Sequence, residues 1–139
     1  TQNIIKLENK IKLVHKRISD IRLNYIHQTT NTIVKTKPCR VVVEDLNVRG
    51  LMKNKHLSKA ISEQCLNKFI TILEYKCKWN GIEFVKADRF FPSSKMCSCC
   101  GTIKKDLKLK DRTYICPKCN LVIDRDKNAS INLANYQLA

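Results

Sequence analysis

With 139 residues, 43% hydrophobic and 28% charged, the chain has the size and balance of one globular domain. Three glycines and three prolines exclude collagen-like and glycine-linker chains, and no apolar run approaches the roughly 20 residues of a membrane span. Lysine and arginine outnumber acids 27 to 12, a formal charge of +15, and so basic a domain is expected to meet a polyanion, nucleic acid above all.

The opening TQNIIKLENKIK is polar and helical and does not read as a secretory leader. Residues 1–36 are predicted as one long helix. Ile4, Leu7, Ile11, Val14, Ile18, Ile21 and Tyr25 follow a three-four spacing along one face. That seam is expected to pack the helix onto its own domain. Pro38 stops it. Three consecutive valines, Val41 to Val43, then predict a strand over 40–44 buried on both faces. A second helix is predicted over 58–79, with Ile61, Cys65, Phe69, Leu73 and Cys77 facing the core and Asn80-Gly81 as its stop. A short strand follows at 82–87. A last helix begins near Asp126 and carries Ile131, Leu133 and Leu138. The order helix, strand, helix, strand is an α/β pattern.

The eight cysteines are unevenly placed, which points to metal binding in a reducing compartment rather than to a disulfide scaffold. Cys97 and Cys100 form one C-x-x-C, Cys116 and Cys119 another, with fifteen residues between. Each pair brings two thiolates to one edge of a tetrahedron, and two pairs close a four-sulfur shell suited to Zn²⁺. A shell with no open position is structural rather than catalytic. Cys99 reads as a bystander, and Cys39, Cys65 and Cys77 as small buried hydrophobes. His15, His27 and His56 stand alone and read as surface or packing residues.

Two carboxylates draw notice. Glu44 ends the valine strand, where α/β sheets build their sites, and Asp126 opens the last helix. If that helix packs on the strand, the two can converge and offer hard oxygens to Mg²⁺ or Mn²⁺. The plainer readings are a solvated turn residue and an N-cap. Arg49, Lys53, Lys55, Arg112 and Lys118 are candidate phosphate contacts that read equally as solvated charges.

The strings VVVEDLNVRGLMKN, SSKMCSCCG, RTYICPKC and DRDKNASINL, in that order, resemble the C-terminal part of the TnpB (OrfB) family of insertion-sequence transposon proteins. Many of that family resemble RNA-guided DNA nucleases, and they are similar to the miniature type V CRISPR effectors. The likeness runs from about Arg17 to Leu133. It implies a RuvC-like nuclease domain of RNase H fold with a zinc ribbon inserted before the last acidic motif. Glu44 then corresponds to the second catalytic carboxylate and Asp126 to the third, with Asp124 as the alternative. Cys97, Cys100, Cys116 and Cys119 correspond to the ribbon ligands, and Ser93 and Ser94 to a serine pair ahead of the ribbon. The first carboxylate of the family sits in an apolar-Asp-apolar-Gly motif that nothing before Glu44 matches.

The expectation is therefore an α/β, partial RNase H-like fold lacking its first strands. It divides into a nuclease segment 1–92, a ribbon 93–123, and a final acidic motif and helix 124–139. The resemblance implies DNA and guide RNA as partners, structural Zn²⁺, catalytic Mg²⁺ or Mn²⁺ in an intact parent, and a cytoplasmic location, nucleoid-associated in a prokaryotic host. It also implies a missing N-terminal half and little activity for this chain alone. The alternative is a non-catalytic, zinc-stabilised module that binds nucleic acid.

Overall fold

The computed structural model describes residues 1–56, 58–108 and 110–137, with the Arg49 side chain left outside that description. Leu138, expected in the last helix, lies outside the described residues. Two compact units form. One joins Thr1–Cys39 with Val48–Glu83, and the other joins Arg40–Asn47 with the chain from Phe84 onward.

In the first unit α1 runs over Gln2–Lys35. No glycine or proline interrupts it, and at 1.5 Å per residue it is about 51 Å long. Thr29, Thr30 and Thr32 are weak helix formers, and each hydroxyl donates to the carbonyl four residues back, at 2.9, 2.7 and 3.1 Å. The helix ends where Lys37 turns left-handed at φ 47, one residue before Pro38.

The buried face of α1 is Ile26, Thr30 and Val34, one residue per turn. The predicted seam is not that face. Ile4, Leu7, Ile11, Val14, Ile18, Ile21 and Tyr25 are all exposed. The packing helix is α4 (Leu66–Trp79), which buries Ile72, Leu73, Lys76 and Cys77. Lys76 of α4 bonds to that buried face of α1. Its Nζ donates to the His27 carbonyl and to Thr30 Oγ1, both at 2.8 Å. Burial lowers the pKa of this amine. A buried amine needs such acceptors, and Thr30 supplies a side-chain one on the packed face.

Helix 58–79 is predicted unbroken, but the structure divides it into α3 (Ser58–Gln64) and α4. Cys65 between them is left-handed, with φ 51. A short α2 (Val48–Leu51) precedes them. Cys77 is fully buried as expected, Cys65 is half-buried, and Cys39 is exposed rather than in the core.

The end of α4 follows the predicted stop. Gly81 has φ 67, the Ile82 N–H donates to Cys77 O at 2.9 Å, and the Gly81 N–H to Lys78 O at 3.4 Å. This is the Schellman arrangement, with the buried Ile82 and Cys77 as its apolar contact. A Cβ at Gly81 would meet nothing within 4 Å. The cost of Gly81→Ala is therefore conformational alone, about 1 kcal/mol, readable as a shift in the urea midpoint at unchanged slope.

In the second unit β1 (Arg40–Glu44) pairs with β2 (Glu83–Ala87). Val85 and Ala87 of β2 are buried. Val41 to Val43 are half-buried rather than covered on both faces. Helix α5 (Arg125–Ala134) packs on β1, and Arg40 donates to Ala134 O at 3.2 Å. Among the described residues β1 has β2 as its one strand neighbour. A second antiparallel pair, β3 (Thr113–Ile115) and β4 (Val122–Asp124), puts Tyr114 opposite Ile123. These three-residue strands are too short to show a period in the sequence. The chain is thus a mixed α/β protein, and no helix among its described residues is long and apolar enough to cross a membrane.

Candidate functional site

Two C-x-x-C turns of matching build meet at one point. In the first, the Gly101 N–H donates to Cys97 O at 2.9 Å, with Gly101 at φ 72. In the second, the Asn120 N–H donates to Cys116 O at 3.2 Å, with Asn120 at φ 56. Each turn needs a left-handed residue just after its second cysteine, which glycine and asparagine tolerate best. The Lys118 and Cys119 N–H groups point at Cys116 Sγ, 3.4 and 3.5 Å away.

All four sulfurs lie within 4.8 Å of one another. Cys97 and Cys119 are 3.6 Å apart, as are Cys100 and Cys116. A tetrahedron with metal–sulfur bonds of about 2.3 Å has edges of about 3.8 Å. The donor set therefore fits a four-coordinate metal ion. Cys99 is exposed and stands outside the group, as expected. Below the sulfurs Tyr114 is fully buried, and its hydroxyl donates to Lys95 O and Thr102 O, at 3.2 and 3.3 Å. Leu107, Leu121 and Ile123 pack around it.

The thiols differ. Hydrogen bonding to Thr102 carries Cys100 down to about 6, and the N–H groups of Cys119 and Lys118 lower Cys116. At Cys119 the Leu121 N–H favours the thiolate, but burial and the neighbouring thiols outweigh it and carry the group up to about 12. Burial and the surrounding sulfurs push Tyr114 up to about 12.

Glu44 is the last residue of β1, and its Oε1 accepts from Ser93 Oγ at 2.7 Å. Ser93 is itself buried, and its carbonyl accepts from Asn132 Nδ2 at 2.7 Å. Asn132 also donates to Met96 O, and Asn128, one turn earlier on α5, donates to the same carbonyl and accepts from the Ser98 N–H. The two asparagines thus clamp the segment that runs from the Glu44 partner into the first cysteine turn. Beside Glu44 a hollow of about 130 Å³ is lined by Asp45, Leu46, Asp88, Arg89, Phe91 and Leu133, among others. Arg89 holds Asp45 at 2.7 Å.

Asp124 caps α5, its Oδ1 accepting from the N–H groups of Asp126 and Lys127 at 2.9 and 3.0 Å. Asp126 stands in the first turn with its side chain 73% exposed and Arg125 3.5 Å away. It precedes Asn132 by six residues, about 9 Å along the axis. Among the described residues neither Glu44 nor Asp126 enters a cluster of three potential ligands; the four cysteines do.

Sequence reasoning left Ser93 without a role and missed Asn128 and Asn132. Their spacing of four in NASIN, which puts two amides on one helical face, is the signal that was available.

Two family models match in chain order. The OrfB model of the IS605 type, described as "Probable transposase", covers residues 1–55, and "Cas12f1-like, TNB domain" covers 67–133. A TnpB-like protein of Methanocaldococcus jannaschii is 32% identical over 118 residues, 79% of this chain and 41% of its own. The chain belongs to the TnpB (OrfB) family. A Streptomyces pristinaespiralis protein, provisionally named an RNA-guided DNA endonuclease, is 43% identical over 134 residues. That match takes in 96% of this chain and 33% of the relative. The TnpB-family chain thus spans about a third of the length of that relative. The cryo-EM structure of the Cas12f1–sgRNA–target DNA complex contains a chain of like fold, with TM-score 0.74 over 99% of this chain and 40% of that one, at 24% identity.

Proposed function

We propose that this chain is the C-terminal, RuvC-like nuclease portion of a transposon-encoded, RNA-guided DNA endonuclease, with a zinc ribbon between its last two acidic motifs. On this reading residues 1–92 and 124–139 belong to one partial RNase H-like domain, and 93–123 form the ribbon. DNA and guide RNA are the partners of the intact protein, which would work at the nucleoid. The observation that carries the reading is Glu44: a strand-end carboxylate fixed by Ser93, in a segment clamped to the helix that opens with Asp126.

Zn²⁺ fits the four thiolates and closes the ribbon. Glu44 and Asp126 would hold Mg²⁺ or Mn²⁺ through hard oxygens, with a third carboxylate from the rest of the parent. Such an ion would supply an activated water and a counter-charge for the leaving oxygen in phosphodiester cleavage. Ser93 fixes the plane of the Glu44 carboxylate. Asp124 is engaged as the helix cap, which supports Asp126 as the third carboxylate. The charge of +15 supports steeply salt-dependent attachment to nucleic acid, which is what the alternative reading, a binding module without catalysis, requires of this chain alone.

Cleavage assays separate the two. A protein of the relatives' full length should cut DNA only with Mg²⁺ or Mn²⁺ and lose that on Glu44→Gln, while binding persists. The 139-residue chain should bind without cutting. Cleavage that survives Glu44→Gln would sink the catalytic assignment.

A further inference from the structure

Phe90 is 88% exposed, more than any other large hydrophobic side chain among the described residues. Its exposure is enforced by a turn tied down on both sides. The Phe90 N–H donates to Asp88 Oδ1 at 2.7 Å, and the Phe91 N–H to Asp88 O at 3.0 Å. The Asp88 N–H donates to the Tyr136 hydroxyl at 3.1 Å, and the Phe91 ring meets the Tyr136 ring edge-on with centroids 4.9 Å apart. Arg89 is fixed by Asp45. Of the two adjacent phenylalanines, one is packed and one is held out.

A shallow, open depression at Phe90 is lined by Asp45, Lys86, Ala87, Asp88, Arg89 and Phe90 itself. Four of these residues, Asp45, Ala87, Asp88 and Arg89, also line the hollow beside Glu44. The ring thus stands on the rim of the carboxylate edge, with the cations Lys86 and Arg89 within the same short stretch.

We infer that Phe90 is a stacking platform for one base of a single-stranded nucleic acid led toward Glu44. This rests on the nuclease reading and adds to it a positioning residue outside the carboxylates. A flat aromatic face matches any unpaired base, whereas in a duplex the base faces are already covered. The turn fixes the backbone beneath the ring, so side-chain rotation is the main freedom left to lose when a base lands on it. The cations Lys86 and Arg89 beside the ring are matched by Asp45 and Asp88, so the aromatic face rather than local charge carries the contact.

The test uses the 139-residue chain and a fluorescent thymine 15-mer, read by anisotropy. Phe90→Ala should weaken binding about 5- to 150-fold, the range for loss of one stacked base. Phe90→Leu, apolar but without a π face, should fall with it, while Phe90→Trp in a Trp79→Phe background should keep affinity and lose fluorescence as the oligonucleotide binds. Binding of a blunt duplex should hardly change. If the unaltered chain binds no oligonucleotide, the nucleic-acid reading falls and this inference with it. If it binds and Phe90→Ala changes nothing, the inference alone falls. Full affinity in Phe90→Leu would mark a plain apolar contact and overturn the stacking claim.

Discussion

Metal removal should unfold the ribbon and leave the α1–α4 pair helical. The ribbon core is Cys97, Tyr114 and Cys116 with three partly buried neighbours, and its strands are three residues long. So small a core cannot offset the conformational entropy of some 30 ordered residues. The four thiolates must supply the difference, on the order of 10 kcal/mol or more once a structural Zn²⁺ is bound. A chelator strong enough to remove the ion should flatten the near-ultraviolet signal of Tyr114 and collapse amide dispersion across the ribbon. Replacement by Co²⁺ should give the absorption of a tetrahedral thiolate site at one equivalent. Cys116→Ser should lose metal, because that sulfur also accepts two backbone N–H groups. Cys99→Ser should keep it. Affinity should fall in acid, since protons compete for the sulfurs, and more steeply below the Cys100 value of about 6. A ribbon that stays folded after quantitative metal removal would refute this.

What was legible in the sequence was what spacing alone dictates. Two C-x-x-C pairs can close in few ways, and the four sulfurs do lie together. Asn80-Gly81 marked the end of α4 because the αL position there favours a residue without a side-chain penalty. The α1 face was misread because hydrophobic periodicity records apolar positions and not which of them are covered. The packed face holds a threonine that serves Lys76, a long-range polar contact across 46 positions. The break at Cys65 was invisible for a related reason: the apolar stripe continues through it, and a left-handed cysteine carries no compositional mark. The position of Glu44 at the end of a strand was readable from the valine run. Its partner was not, because Ser93 is 49 positions away and a serine before a cysteine turn has many uses.

Ser93→Ala should impair cleavage by the intact protein without unfolding it, and should do so through the metal. The hydroxyl donates to Glu44 Oε1 at 2.7 Å, a charge-assisted bond to a half-buried carboxylate. Losing a partner of this outer-shell kind costs about 10- to 100-fold in metal affinity or activity. The carboxylate would keep its charge but turn freely, and one of its preferred orientations would no longer be selected. Glu44→Gln, which removes the ligand itself, should cost more than that. Ser93→Thr keeps the hydroxyl and should recover most of the activity. A merely structural serine would behave otherwise: Ser93→Ala would lower thermal stability and leave the Mg²⁺ requirement where it was. The deciding measurement is therefore cleavage rate against Mg²⁺ concentration for the three variants, beside their melting curves. A rightward shift of the Mg²⁺ curve in Ser93→Ala, reversed in Ser93→Thr, assigns the serine to positioning Glu44. Superimposed curves remove it from the site and leave Asn132 and Asn128 holding a segment whose only task is to seat the ribbon on α5.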